Sequence, residues 1–307
     1  MSRSIKAHLL LVLTTLIWGS TFVLIKKALA DSSPLVLNAV RMTLAAALLA
    51  LYYRRHLQVM TKPALQSGIV VGIFLYLGYS FQTAGLALTT PSKSAFLTGS
   101  STVLVPLLLV MFWRAKIHPW RVVGIALAFV GLFLMTVPAG REQLADFANV
   151  NRGDLLSVGC AIAFAFQIVL LGRASQRFPF EQIAVLQVGT AAVLMVITTP
   201  LEHARFHVSP VVIATVLITG ILGTAVAFTV QAWAQQFTPA THTALIFNME
   251  PVFAWLTSFI VLKERLGLRA GMGAMLILCG VFVSELLGQV DRPEDESAGR
   301  SGDPVLG

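Results

Sequence analysis

Of the fourteen acidic residues in this chain, only Glu250 falls near the middle of a long apolar stretch. A carboxylate held at such a depth costs several kcal/mol unless it is protonated, paired or facing water. Two readings follow. Glu250 is a substrate or proton site, or it is a structural acid that bonds a neighbouring helix beside a kink at Pro251.

A second set of polar groups lies on one face of another apolar stretch. Ser94, Thr98 and Ser101 recur at i, i+4 and i+7, a single stripe on an otherwise apolar helix. Such hydroxyls either line a cavity or let helices pack closely and bond backbone carbonyls. Gln82 and Gln231 offer amide donors and acceptors, and Trp18, Tyr76, Tyr79 and Trp233 offer flat walls for a small molecule. Trp113 and Trp120 fit the interfacial role of aromatics near span ends. His242, two turns before Glu250, is a second candidate for proton coupling or an interfacial group. Asn248 is the weakest candidate, because helical geometry puts it off the Glu250 face. Arg41, about two turns into its own stretch, is read first as snorkelling to the membrane surface. Pairing with Glu250 or with an anionic substrate is the alternative.

The elements that carry these residues follow from composition. Apolar residues make up 56% of the chain and charged ones 12%, with mean hydropathy +0.80. A water-soluble fold of this size could not cover so much apolar surface with so little charge, so lipid is the expected solvent. Apolar runs long enough to cross the hydrocarbon lie near 7–27, 34–53, 66–88, 93–113, 120–137, 153–172, 179–200, 209–236, 239–262 and 269–287. Spanning strands need only about ten alternating residues, so these ten runs are expected to be helices. The first run is read as an uncleaved span: it is long for a signal peptide, and Lys26 and Lys27 precede the small residues.

The chain also repeats itself. Ala7 to Val23 overlays Gly153 to Val169, a shift of 146. Later the shift becomes 149, where Gln82 meets Gln231, Thr98 meets Phe247, Ser101 meets Glu250, Gly124 meets Gly273 and Gly131 meets Gly280. Two halves of five spans follow, over 1–140 and 141–287, with 288–307 a disordered tail. An odd number of spans inserts the second half from the opposite side, the inverted-repeat plan of many secondary transporters. Arg3, Lys6, Arg54, Arg55, Lys62, Arg114, Lys116 and Arg121 fall on one side and favour an inside N-terminus.

Other classes find little support. The net charge of +8 is dispersed singly and in pairs between apolar runs, which argues against nucleic acid as a partner. Cys160 and Cys279 lack metal-ligand spacing, and neither metal nor cofactor is expected. Gly99-Ser100-Ser101 with His242 is a poor match to an intramembrane serine protease, and neither a phosphate-binding glycine loop nor a zinc HExxH motif is present. The chain is read as no enzyme.

The order of motifs resembles the EamA family of the drug/metabolite transporter superfamily. The first half carries Ile17-Trp18-Gly19-Ser20-Thr21-Phe22, then Arg41, Ala84 to Leu88, Ser94 to Leu97 and Pro106. The second carries Glu250 to Ala254 and Leu262-Lys263-Glu264-Arg265-Leu266, and both halves close on paired glycines. The first half departs from the pattern, with Ala115 in place of a second Glu264 and Ser101-Thr102 in place of Glu250-Pro251. The resemblance implies an inner-membrane carrier of ten helices with both termini cytoplasmic, a monomer or homodimer, often an exporter of amino acids or other small metabolites. Its substrate contacts are expected at Trp18, Gln82, Thr98, Ser101, Gln231, Asn248 and Glu250, with Glu250 and His242 the candidates for proton coupling. Kinks are expected near Pro106 and Pro251. An uncoupled facilitator and an intramembrane enzyme are the competing classes.

Overall fold

The computed structural model describes residues 2–89, 91–201, 204–262 and 267–288. Lys263, Glu264 and Arg265 of the second-half motif and the tail beyond Gly288 lie outside the described residues. The described residues are helical but for short connections, and the only β-type contact among them is an isolated bridge between Ser32 and Phe206. In order, the α-helices are α1 (Arg3–Ala28), α2 (Pro34–Tyr52), α3 (Arg54–Leu57), α4 (Lys62–Leu88), α5 (Pro91–Gly99), α6 (Ser101–Trp113), α7 (Pro119–Thr136) and α8 (Arg141–Ala148). Then come α9 (Arg152–Arg177), α10 (Phe180–Thr198), α11 (Pro210–Gly220), α12 (Ala227–Ala234), α13 (Ala240–Phe247), α14 (Glu250–Leu262) and α15 (Leu268–Leu287). A π-helical turn, Ile221–Val226, joins α11 to α12.

Nine segments among the described residues are long and apolar enough to cross a bilayer. The ninth predicted span, 239–262, enters as two shorter helices instead, because the chain turns at Asn248 and Met249 between α13 and α14. The fourth is interrupted as well, at Ser100. Polarity is turned outside in. On α6, Val103, Leu107, Val110 and Met111 are exposed along one stripe, whereas Thr102, Val105 and Leu108 face the core. Across the molecule Asn38, Gln167, Gln187, Thr215 and Gln231 are buried and many leucines and valines are not. Only a hydrocarbon solvent makes that arrangement favourable.

The two halves interlock. The first long helix of each half packs on the fourth span of the other: α1 on α14, and α9 on α6. Likewise α1 packs on α12 and α9 on α4, while α2 meets α10 and α7 meets α15. The last pair approaches most closely. A Cβ on Gly131 would lie 2.5 Å from the Gly273 carbonyl, and one on Gly280 would lie 2.4 Å from that of Gly124. These glycines are the ones the 149 shift pairs, now crossed: Gly124 with Gly280, Gly131 with Gly273. Contact of i with j and of j's equivalent with i's equivalent is the signature of a local two-fold axis. It runs between two antiparallel helices whose backbones touch because neither carries a side chain there.

The kink expected at Pro106 is not where the helix breaks. Helix α6 runs through Pro106, and the interruption lies at Ser100. In the second half the break immediately precedes Pro251, which occupies the second position of α14, where its missing N–H goes unneeded. Thr102 takes the equivalent place in α6 (251 − 149 = 102), and its hydroxyl donates to the Ala244 carbonyl at 3.2 Å.

Candidate functional site

The interrupted helices put two fresh helix N-termini inside the bundle, α6 beginning at Ser101 and α14 at Glu250. Each presents unsatisfied backbone N–H groups and the positive end of a helix dipole. Glu250 thus sits where a negative charge is favoured. It is half-buried, and neither hydrogen bond nor ion pair holds its carboxylate among the described residues. Helix α1 holds the start of α14 from the other side: a Cβ on Gly19 would meet the Glu250 carbonyl at 2.8 Å and the Ala254 nitrogen at 2.9 Å.

Arg41 overturns the snorkelling reading. It is 7% exposed and turned inward, its guanidinium carbon 4.5 Å from the Tyr79 ring centroid and its Nε buried without a partner. A guanidinium stacks readily on an aromatic face, which lowers the cost of keeping it inside. The signal was present in the sequence: Asn38, Arg41, Met42, Ala45 and Leu49 share the buried face of α2, so two polar residues lie on the stripe that points inward.

Arg41 lies over Tyr79, whose ring leads through Phe228 to Trp18, next to the Gly19 that touches the Glu250 backbone, and none of the ion pairs among the described residues joins Arg41 to Glu250. Aromatic rings continue the wall. Tyr79 meets Phe164 edge-on at 5.5 Å and Phe228 at 6.2 Å, and Phe228 leads to Trp18 at 5.7 Å and then Phe247 at 4.9 Å. The Trp18 indole N–H donates to the Gly223 carbonyl at 2.7 Å, a group of the π-helical turn, so only its ring faces the site.

The remaining sequence candidates separate into two groups. Gln82 and Ser101 are half-buried and make no hydrogen bond among the described residues, and half-buried Thr98 donates only to Cys160 Sγ at 3.7 Å. Gln231 is fully buried in a glutamine cluster, exchanging bonds with Gln167 at 3.3 and 3.4 Å while Gln167 also donates to Gln187 at 3.0 Å. Asn248 is buried and donates to the Ala128 carbonyl of α7 at 3.3 Å. His242 lies with His8 and Glu285 rather than with Glu250. Trp233 packs on Phe237, with Lys6 over its ring. A buried ion pair that sequence reading passed over, Lys93 to Asp154 at 2.6 Å, ties α5 to the start of α9, where Asp154 and Asn151 form a capping box.

Similar proteins agree with this architecture. A crystal structure that matches with a TM-score of 0.75 over 92% of this chain and 97% of its own shares the fold at 19% identity. An uncharacterized transporter of Archaeoglobus fulgidus is 32% identical over 284 residues, 92% of this chain and 87% of the relative. A probable amino-acid metabolite efflux pump of Escherichia coli is 23% identical across 92% of this chain and 95% of that protein. The EamA-like transporter family matches residues 5–137 and again residues 151–286, once for each half. The chain is a multi-pass membrane protein and belongs to the EamA-like transporter family.

Proposed function

We propose that the chain is an alternating-access secondary transporter of small polar metabolites, exporting amino acids or related zwitterions from the cytoplasm across the inner membrane. The observation that carries this reading is a pair of inward charges: a guanidinium on α2 stacked on Tyr79, and a carboxylate at the start of α14 that no hydrogen bond or ion pair holds among the described residues. A zwitterion would set its carboxylate toward Arg41 and its ammonium toward Glu250, with its apolar part against the ring of Trp18 and the Phe228 and Phe247 rings. Leaving both charges unpaired to one another is costly inside a membrane protein, and a substrate that satisfies both offsets that cost. The E. coli relative, named for amino-acid metabolites, supports the same substrate class. Thr98, Ser101 and Gln82 complete the polar lining in this reading. Gln231 and Asn248, which bond protein groups, hold the helices that frame it.

Transport follows from the interlocked halves. Ten helices in two inverted repeats, with both termini cytoplasmic, would rock about the α7–α15 glycine contact and open the site to each side in turn. Discontinuous helices suit this motion, since their free ends can follow the substrate without breaking regular backbone hydrogen bonds.

The test is efflux of radiolabelled amino acids from liposomes holding the purified protein, with and without a pH gradient. Saturable efflux that falls in Glu250→Gln and Arg41→Gln, both still folded, is expected. Efflux no faster than from empty liposomes for amino acids and their amides alike would overturn the substrate class. Equal rates in both variants and wild type would overturn the site.

A further inference from the structure

Away from the Tyr79 site, three side chains from three helices converge at the membrane face where α1 begins. His8 Nε2 lies 3.4 Å from Glu285 Oε1, and His242 Nδ1 lies 3.0 Å from the same oxygen. The three candidate ligand atoms all fall within 4.8 Å of one another. A tetrahedral zinc ion with ligands at 2.0–2.1 Å spaces those ligands about 3.3 Å apart, close to the two histidine–glutamate distances here. We propose that His8, His242 and Glu285 bind a divalent transition metal of the zinc class, joining α1 to α13 and α15.

An ordinary histidine–glutamate ion pair accounts for the cluster less well. His8 Nε2 and both ring nitrogens of His242 are buried without a hydrogen bond, although His242 Nδ1 is so near the carboxylate. Buried nitrogens left unmatched are costly. A metal ion takes up an imidazole lone pair and the carboxylate oxygen together, and a water can occupy its fourth position. Imidazole with carboxylate suits zinc, cobalt or nickel better than calcium or magnesium, which prefer all-oxygen shells. Arg121 packs at the same end of α15, where a Cβ on Gly288 would lie 2.9 Å from its Cγ, and its charge opposes an added cation. No linear motif announces this site, since its ligands stand at positions 8, 242 and 285. One comes from the first matched half and two from the second, so a bound ion ties the halves together at one face.

The test titrates the full-length, detergent-purified and chelator-stripped protein with Zn2+ against a chromophoric chelator. One Zn2+ per chain is expected for wild type and for the Glu250→Gln control. His242→Gln and Glu285→Gln should each weaken binding beyond the roughly 10–100-fold that loss of an outer-shell partner costs. Arg121→Gln should tighten it, a change that a purely structural ion pair does not predict. Because removing His242 can also loosen the fold, His8→Cys is the decisive variant. It keeps a ligand, so it should retain Zn2+ and give Co2+ a thiolate charge-transfer band. Failure of wild type to take up stoichiometric Zn2+ overturns the proposal, as does binding that is unchanged in His242→Gln and Glu285→Gln with no thiolate band in His8→Cys. Neither result bears on efflux.

Discussion

The two broken helices are the same backbone device carrying different chemistry. Helices α6 and α14 each run 13 residues from the break, and their first residues are related by the 149 shift (101 + 149 = 250). In the first half the new N-terminus opens on Ser101-Thr102, and the Thr102 hydroxyl bonds the Ala244 carbonyl of the other half. In the second it opens on Glu250-Pro251. The proline marks the break locally, and the carboxylate lies at the positive end of the helix, an arrangement worth about 0.3–1 kcal/mol in exposed helices and more where solvent is excluded. Their neighbours differ too. Gly19 of α1 touches the backbone of α14, whereas the equivalent residue of α9 (19 + 146 = 165) is Ala165, which packs among Val105 and Leu108 of α6 with room for its methyl. Duplication thus accounts for the paired breaks, and only the second of the two helix starts carries a charge.

That contrast can be broken in several ways. The largest effect is expected from Glu250→Gln, which removes charge-assisted bonds to a substrate of about 1.5–3 kcal/mol, so efflux should fall about 10- to 100-fold while the melting temperature in detergent holds. Next, Gly19→Ala should lower stability by about 1–3 kcal/mol through overpacking against α14, read as a lower melting temperature and a smaller folded fraction by size exclusion. Arg41→Lys keeps the charge and loses the planar, stacked fork, so KM for a zwitterion should rise about 3- to 10-fold with the maximal rate little changed. The reciprocal change in the other half, Ala165→Gly, should cost only about 0.5–1 kcal/mol, the backbone penalty of glycine in a helix. Ser101→Ala should be the mildest, with efflux within about two-fold of wild type, because no hydrogen bond among the described residues depends on that hydroxyl. A loss as large as that in Glu250→Gln would mean that both helix starts act alike.

Much of this was legible beforehand. Run lengths located the spans to within a few residues but not the breaks inside 93–113 and 239–262, and the constant shift paired the glycines that cross between α7 and α15. Glu250 stood out because a lone acid in an apolar run has no cheap explanation. Less legible were the residues whose role depends on direction. Arg41 near a span end reads as an interfacial cation until the facing helices are known. Gln231 and Gln82 are equivalent in the repeat, yet one is locked among Gln167 and Gln187 and the other makes no hydrogen bond. His242 reads from the sequence as a proton-coupling or an interfacial group, and the fold turns it toward His8 and Glu285.

By itself the sequence determined the solvent, the all-helical class and the internal repeat, because hydrophobicity and period are local sums that no partner can reverse. Tertiary structure decided which side chains meet. A helix face points inward or outward only relative to its neighbours, and here those neighbours come from the opposite half of the chain. Arg41 beside Tyr79, the carboxylate of Glu250 left unpaired, and three ligands gathered from positions 8, 242 and 285 are all products of that interlocking.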